Sequence, residues 1–371
     1  MEQNFNPKLE QLRQGYLCLP FGAARAAANQ KAVQKADEAA NPYYRISMRD
    51  DLAWSFAVGD DPAKALPVCA EYFAILDQYP NILPDTEIHT IIKMEVVAAV
   101  IAQLLPQIPL EQCKEFLDQM ETLVQRYGMG QQNLSMQLCN FYLMCGDKQQ
   151  AELYFERARL LPRDAVSDCE TCDCCNMAGF LLALGRRQEA EEMARPVLEG
   201  IMTCQEQPQE ILCDFLADDI LHENWEIAGK EATRLYHIAH RNKSDLKFIG
   251  LAMQCWAFTD LSRAFMLLDR HLQWIVGVWD QQLLFSFYTG AWLVCSHMAQ
   301  NQTVLPFGNI PSKKLPFFRQ DGVYEATTVA KWFYENAYKI GIAFDCRNGT
   351  AKHAEILNHR LLLLEQGGVV L

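Results

Sequence analysis

The sequence carries almost no strand signal. No run of alternating β-branched residues stands out, and no Asn-Gly or Asp-Gly pair joins two such runs. Asn348-Gly349 and Asp321-Gly322 sit beside helical patterns instead. A fold built on sheets is therefore not expected. Long apolar runs are missing too. The longest, Val96 to Ala102, is closed by Glu95 and Gln103 and falls far short of a membrane span. The opening MEQNFNPKLEQL is polar, with no apolar core of a secretory signal, so a cytoplasmic protein is expected. Positive charge is scarce and scattered. The net charge is −13, from 46 acidic and 33 basic residues. The densest basic stretches, Arg186-Arg187, Arg241 to Lys247 and Lys313-Lys314, are brief. A surface that neutralises phosphates needs clustered Lys and Arg, so nucleic acid is not an expected partner. Nor is there a GxxxxGK[ST] loop, a GxGxxG after a strand, a GxSxG elbow, a kinase set or a basic recognition helix.

What is present is helix, throughout. Half of the 371 residues are apolar and 21% are charged, the balance of a folded chain with a sizeable core. Fourteen cysteines in a chain of this kind read as reduced thiols. Cys69, Cys113, Cys139, Cys255 and Cys295 fall in apolar helical patterns and read as small buried hydrophobes.

The helices repeat. In residues 131–162, Leu134, Leu138, Phe141 and Tyr142 lie at helical spacing. Cys145-Gly146-Asp147 breaks the helix, because glycine tolerates the backbone angles of a helix end. A second helix follows with Ala151, Tyr154, Phe155 and Ala158, and Pro162 closes it. The same design recurs through Ala178, Leu181, Leu182, Leu184-Gly185, Ala190, Ala194 and Pro196. Gly185 lies 39 residues after Gly146, and Ala190 lies 39 after Ala151. A small residue in the second helix recurs at Ala65, Cys113, Ala151, Ala190, Ala228 and Ala264, with steps of 48, 38, 39, 38 and 36. A small side chain there lets the two helices of a hairpin approach closely. The expected fold is all-α: a right-handed superhelix, or α-solenoid, of about six or seven antiparallel hairpins. Residues 7–39 read as a short helix and an Ala-rich helix that cap the stack. Residues 304–318, rich in proline, read as a loop. A long helix over 323–344 with Tyr324, Trp332, Phe333, Tyr334 and Tyr338 as anchors, and a last helix to about Gln366, follow it. The expected organisation is thus a repeat domain over 1–303, with 304–371 packed on its end.

The small-Gly…Ala…aromatic…Ala…Pro skeleton resembles the tetratricopeptide repeat, over roughly residues 40–275. The units are longer than that family's usual length of about 34 residues, and most lack its first-helix tryptophan. Three further strings, PRDAVSDCETC (162–172), TCQEQPQ (203–209) and AFDCRNGT (343–350), with LPFGAAR near residue 19, resemble a group of uncharacterised bacterial tetratricopeptide-like proteins. That resemblance implies architecture and a bacterial cytoplasmic setting, and no activity.

One local feature looks chemical. SDCETCDCC, residues 167–175, holds four cysteines within seven residues. Cys169 and Cys172 have the C-x-x-C spacing that lets two thiolates grip one metal or close a redox disulfide. Cys204, at the far end of the hairpin that starts near Cys172, would return beside them. A structural zinc takes four tetrahedral ligands. The candidate set is Cys169, Cys172 and Cys204, with a fourth ligand among Cys174, Cys175 and Cys213. Reduced structural thiols, a redox pair and a catalytic nucleophile remain alternatives. Ser167 and Asp168 read as N-caps of the next helix, with Asp164 close by. His237 and His240 are three apart but lack a third ligand, and His271 lies on a two-faced helix. Asp345, Arg347 and Asn348 are expected in a turn and form a candidate binding site.

These features point to a protein- or peptide-binding scaffold that is not an enzyme, with an extended peptide or partner helix along the first helices of the pairs. A signalling-peptide receptor and a thiol- or metal-dependent enzyme centred on Cys169 to Cys175 are the competing readings.

Overall fold

A computed structural model describes residues 5–59, 61–204 and 206–367. Seventeen α-helices occur among them, and no strand. The chain divides into two compact units, Met1–Asp168 and Cys169–Leu371.

The first unit holds α1 (Pro7–Leu17), α2 (Ala23–Glu38), α3 (Pro42–Gly59), α4 (Ala65–Gln78), α5 (His89–Leu104), α6 (Leu110–Tyr127), α7 (Gln131–Met144) and α8 (Lys148–Leu160). Each packs on its neighbour in sequence. The second unit holds α9 (Glu170–Ala183), α10 (Arg187–Leu198), α11 (Gln209–Leu221), α12 (Trp225–Ala239), α13 (Leu246–Thr259), α14 (Leu261–His271), α15 (Gln281–Ala299), α16 (Ala326–Asn348) and α17 (Lys352–Gln366). Here α9/α10, α11/α12 and α13/α14 are hairpins, and the first helices α9, α11, α13 and α15 also pack in a row.

The hairpins close through the recurring small residue. Ala65, Cys113, Ala151, Ala190, Ala228 and Ala264 are all 0% exposed. Five of them are the fourth residue of α6, α8, α10, α12 and α14. Ala65 holds the same place if the 3-10 turn Pro62–Lys64 that leads into α4 is included. These side chains are fully enclosed one turn into the second helix, so anything larger than a methyl or a thiol there would wedge the rods apart. The backbones of α13 and α15 approach closer still. A Cβ added at Gly250 would lie 2.5 Å from the Phe287 amide nitrogen, and one at Gly290 2.5 Å from the Gly250 carbonyl.

The turns between rods repeat in atomic detail. At Gly146 (φ 77°) and Gly185 (φ 81°) the chain goes left-handed. The next amide then donates back to the helix, Asp147 N to Tyr142 O (2.9 Å) and Arg186 N to Leu181 O (2.8 Å). In the following hairpin Glu223 takes the glycine's place at φ 58°, and Asn224 N donates to Asp219 O at 2.8 Å. Asp61, Asp147 and Asp260 cap the second helices from their side-chain oxygens.

Cys69, Cys113, Cys139, Cys255 and Cys295 are all buried in apolar surroundings. The loop 300–325 is closed by a single bridge between Val304 and Glu325. The helix beyond it differs from the expected 323–344. It starts at Ala326, after the bridge, and runs on to Asn348, where left-handed Gly349 (φ 67°) ends it. Tyr324 and Phe333 are buried anchors, whereas Tyr338 stays on the surface.

Glu223 carries a Cβ at an angle that favours glycine. Glu223→Gly is expected to stabilise the second unit by roughly 1 kcal/mol, a rise of about 2 °C in midpoint. Thermal unfolding followed by circular dichroism measures it.

Candidate functional site

The loop between α8 and α9 spends its polar side chains on its own backbone and on the start of α7. Asp164 accepts from Gly130 N (2.6 Å) and Val166 N (2.9 Å). Ser167 Oγ accepts from Asp164 N at 3.0 Å and donates to Gln132 Oε1 at 2.8 Å. Ser167 and Asp168 are therefore not the caps of α9. Cys169 is the cap: its backbone is extended, and its Sγ accepts from Cys172 N at 3.3 Å. A thiol at a helix N-terminus faces free N–H groups and the positive end of the helix dipole.

Cys172 follows within the first turn of α9. Cys204 arrives from the other direction. Helix α10 closes at Leu198, two residues past Pro196, and Cys204 lies beyond it on the loop that leads to α11, not at the end of the helix as expected. The ligand atoms of Cys169, Cys172 and Cys204 lie within 4.8 Å of one another, and Cys172 Sγ is 3.4 Å from Cys204 Sγ. A disulfide needs about 2.0 Å, so these are separate thiols. Two sulfurs on one tetrahedral zinc, each about 2.3 Å from it, stand about 3.8 Å apart. The three thiols already hold nearly that spacing.

Burial pushes the Cys169 thiol up. The Cys172 amide, the Cys172 and Cys204 thiols and the Thr171 amide all donate to its sulfur, and the net effect is downward. Cys172 moves the other way: burial raises it first, and the neighbouring sulfurs add to the rise. The cluster thus favours the thiolate at Cys169 over that at Cys172, and a cation placed among the sulfurs would release the remaining protons.

None of the three expected fourth ligands joins the group. Cys174 points away, with its Sγ 2.9 Å from the Met193 carbonyl oxygen. Cys175 and Cys213 are buried in the core, where desolvation pushes both thiols up to about 12. Glu206 stands closer, with Oε2 4.0 Å from Cys172 Sγ. Sequence reasoning passed over it, although it sits two positions after Cys204 in TCQEQPQ.

The other candidates have structural roles. Asp345, Arg347 and Asn348 are not in a turn but in the last turn of α16, because the helix continues to the left-handed glycine. Asp345 is buried and caps the next helix. Its Oδ1 accepts from His353 N (3.1 Å) and contacts His353 Nδ1 (3.0 Å), and its Oδ2 accepts from Ala354 N (2.9 Å). Arg347 Nε donates to Asn348 Oδ1 at 2.7 Å. His271 is buried, its Nε2 3.1 Å from the Tyr236 hydroxyl, and burial lowers its pKa to about 4. His240 turns its Nδ1 to backbone carbonyls of its own helix.

A second surface of interest runs along the row of first helices. On α11 the exposed positions are Asp214, Ala217 and Leu221, beside half-buried Glu210. Glu210 pairs with Lys247 of α13 at 2.9 Å. A Cβ on Gly179 of α9 would stand 2.8 Å from Asp214 Oδ2, so α9 and α11 meet on this face. Asp214 is open to solvent, yet desolvation by the surrounding protein pushes its carboxyl up to about 6, against the pull of Lys247 and Lys352.

Comparison with protein-family models, curated proteins and solved structures finds no match. The functional reading rests on these two surfaces alone.

Proposed function

We propose that this protein is a helical-repeat interaction scaffold that takes a peptide or partner helix along the first-helix face of its second unit. The observation that carries this reading is the exposed Asp214 on the first-helix face, set against Gly179 of α9 and on the same helix as the Glu210 that pairs with Lys247 of α13. Three charged groups on this face, Asp214, Glu210 and Lys247, supply orienting contacts for a polar chain, and Ala217 and Leu221 supply apolar ones. The row of first helices is the trough in which such a ligand would lie. The test is capture of partners from cell lysate by immobilised protein. Asp214→Arg reverses charge on this face. Glu226→Arg reverses an exposed charge on the second helix α12, away from the trough. Loss of the captured set with the first variant and its retention with the second supports the reading. Identical sets from both contradict it.

The thiol cluster has a separate role in the same proposal. Cys169, Cys172 and Cys204, with Glu206 as fourth ligand, hold a structural zinc ion. The donor set fits: three soft sulfurs near tetrahedral spacing and one carboxylate at the rim. The ion would tie the first turn of α9 to the loop before α11, and so fix the end of the trough. Protein purified without chelator is expected to carry about one zinc per chain by elemental analysis. Cys172→Ser should abolish that content and Glu206→Gln should weaken it. Metal-free native protein with unchanged thermal stability on zinc addition would overturn the assignment.

A further inference from the structure

The row of first helices is in contact with the chain's own last helix. α17 lies along α15 in the same direction. Near its start the His353 ring meets Phe285 at 4.9 Å, and just past its end Gly367 stands beside His297. Midway, Arg360 Nε donates to Gln254 Oε1 of α13 at 3.2 Å, across 106 residues of sequence. His359 lies beside the Leu221 backbone at the end of α11. The helix therefore reaches α11, α13 and α15, the helices that form the trough.

Its sequence reads as that of a ligand. Leu357, Arg360 and Leu364 are buried, and Leu361 packs against the same core cluster. Those positions are i, i+3, i+4 and i+7, the anchor pattern of an amphipathic helix seated in an apolar groove. Lys352, Glu355, Asn358, Leu362 and Glu365 stay exposed on the other side.

The seat is imperfect at one point. Arg360 is 4% exposed, and the partners it reaches, the Gln254 amide and the His359 ring, carry no negative charge. Burial lowers His359 below its ordinary value, which keeps that ring neutral, and pulls Arg360 itself down to about 10. A buried cation without a counter-charge opposes docking. The leucines hold α17 down against that opposition. At its first turn Asp345 fixes it to α16.

We propose that α17 is an internal ligand of the trough, and that the partner is an amphipathic helix with apolar residues at i, i+4 and i+7 that takes its place. This rests on the scaffold reading above and names the occupant that reading leaves open. An incoming helix with an apolar residue where α17 has Arg360 would seat without the buried charge and so displace it.

The probe is a labelled synthetic peptide of residues 351–367, offered to the full-length chain in an anisotropy titration. Leu357→Asp with Leu364→Asp releases the resident helix, and that variant should bind the peptide at least about tenfold more tightly than the native chain. Arg360→Met seats the resident helix better, and that variant should bind it more weakly than the native chain. A peptide carrying methionine at the position of Arg360 should bind the released variant more tightly than the parent peptide. Hydrogen exchange on the native protein is a second readout in case the double variant misfolds. α17 amides after the first turn should exchange well before those of α13 and α15, and Arg360→Met should slow them. Equal protection of α17 and α13 overturns the proposal, as does equal binding by a folded released variant and the native chain. Capture lost on Asp214→Arg together with either of those results would retain the scaffold and discard the internal ligand. Capture unchanged on Asp214→Arg would discard the scaffold itself.

Discussion

The close approach of two rods at one small side chain is the constraint on which the rest depends. At the same point in six second helices the chain places an alanine or a cysteine, and each is fully buried. A single hairpin still leaves an apolar face open, and only the next hairpin covers it. Stacking therefore follows from pairing. In the second unit, the stacking of first helices produces the row α9, α11, α13 and α15. The charged face at Asp214 and the seat of α17 are both surfaces of that row.

The thiol cluster depends on the same geometry. Cys169 and Cys172 belong to the start of a first helix, whereas Cys204 comes from the chain returning after the second helix of the same hairpin. The antiparallel pair brings the loop back to the turn where it began, and the loop's length leaves the sulfurs a few ångströms apart. Cys169 acts as both helix cap and cluster member. The helix N-terminus stabilises its charged form, while burial among sulfurs keeps Cys172 protonated. Helix end and thiol cluster share that residue.

Much of this was legible from residue order because it is local. The helical periods, the glycine reversals at 146 and 185 and the small-residue series each involve a few neighbouring positions. The return of Cys204 could be read from hairpin topology alone. What was missed depends on distant or side-chain detail. Ser167 looks like a cap, but Gln132, 35 residues earlier, takes its hydroxyl. The turn at Asp345 is helical because Gly349, not the polar residues before it, ends the helix. Glu223 hides the third reversal, since no glycine marks it. The seating of α17 was not legible at all. Its amphipathic pattern shows that it packs, but periodicity carries no information about which helix receives it, and the Arg360–Gln254 contact spans 106 residues.

The most direct test of the account is to enlarge one of the small residues and compare it with an exposed alanine in the same hairpin. Ala228 is fully buried within the α11/α12 hairpin, and Ala217 is exposed on α11. Ala228→Leu is expected to cost about 1–3 kcal/mol by overpacking and to lower the unfolding midpoint by several degrees, while Ala217→Leu leaves it nearly unchanged. Equal midpoints for the two variants would contradict the claim that small side chains at these positions allow the rods to nest.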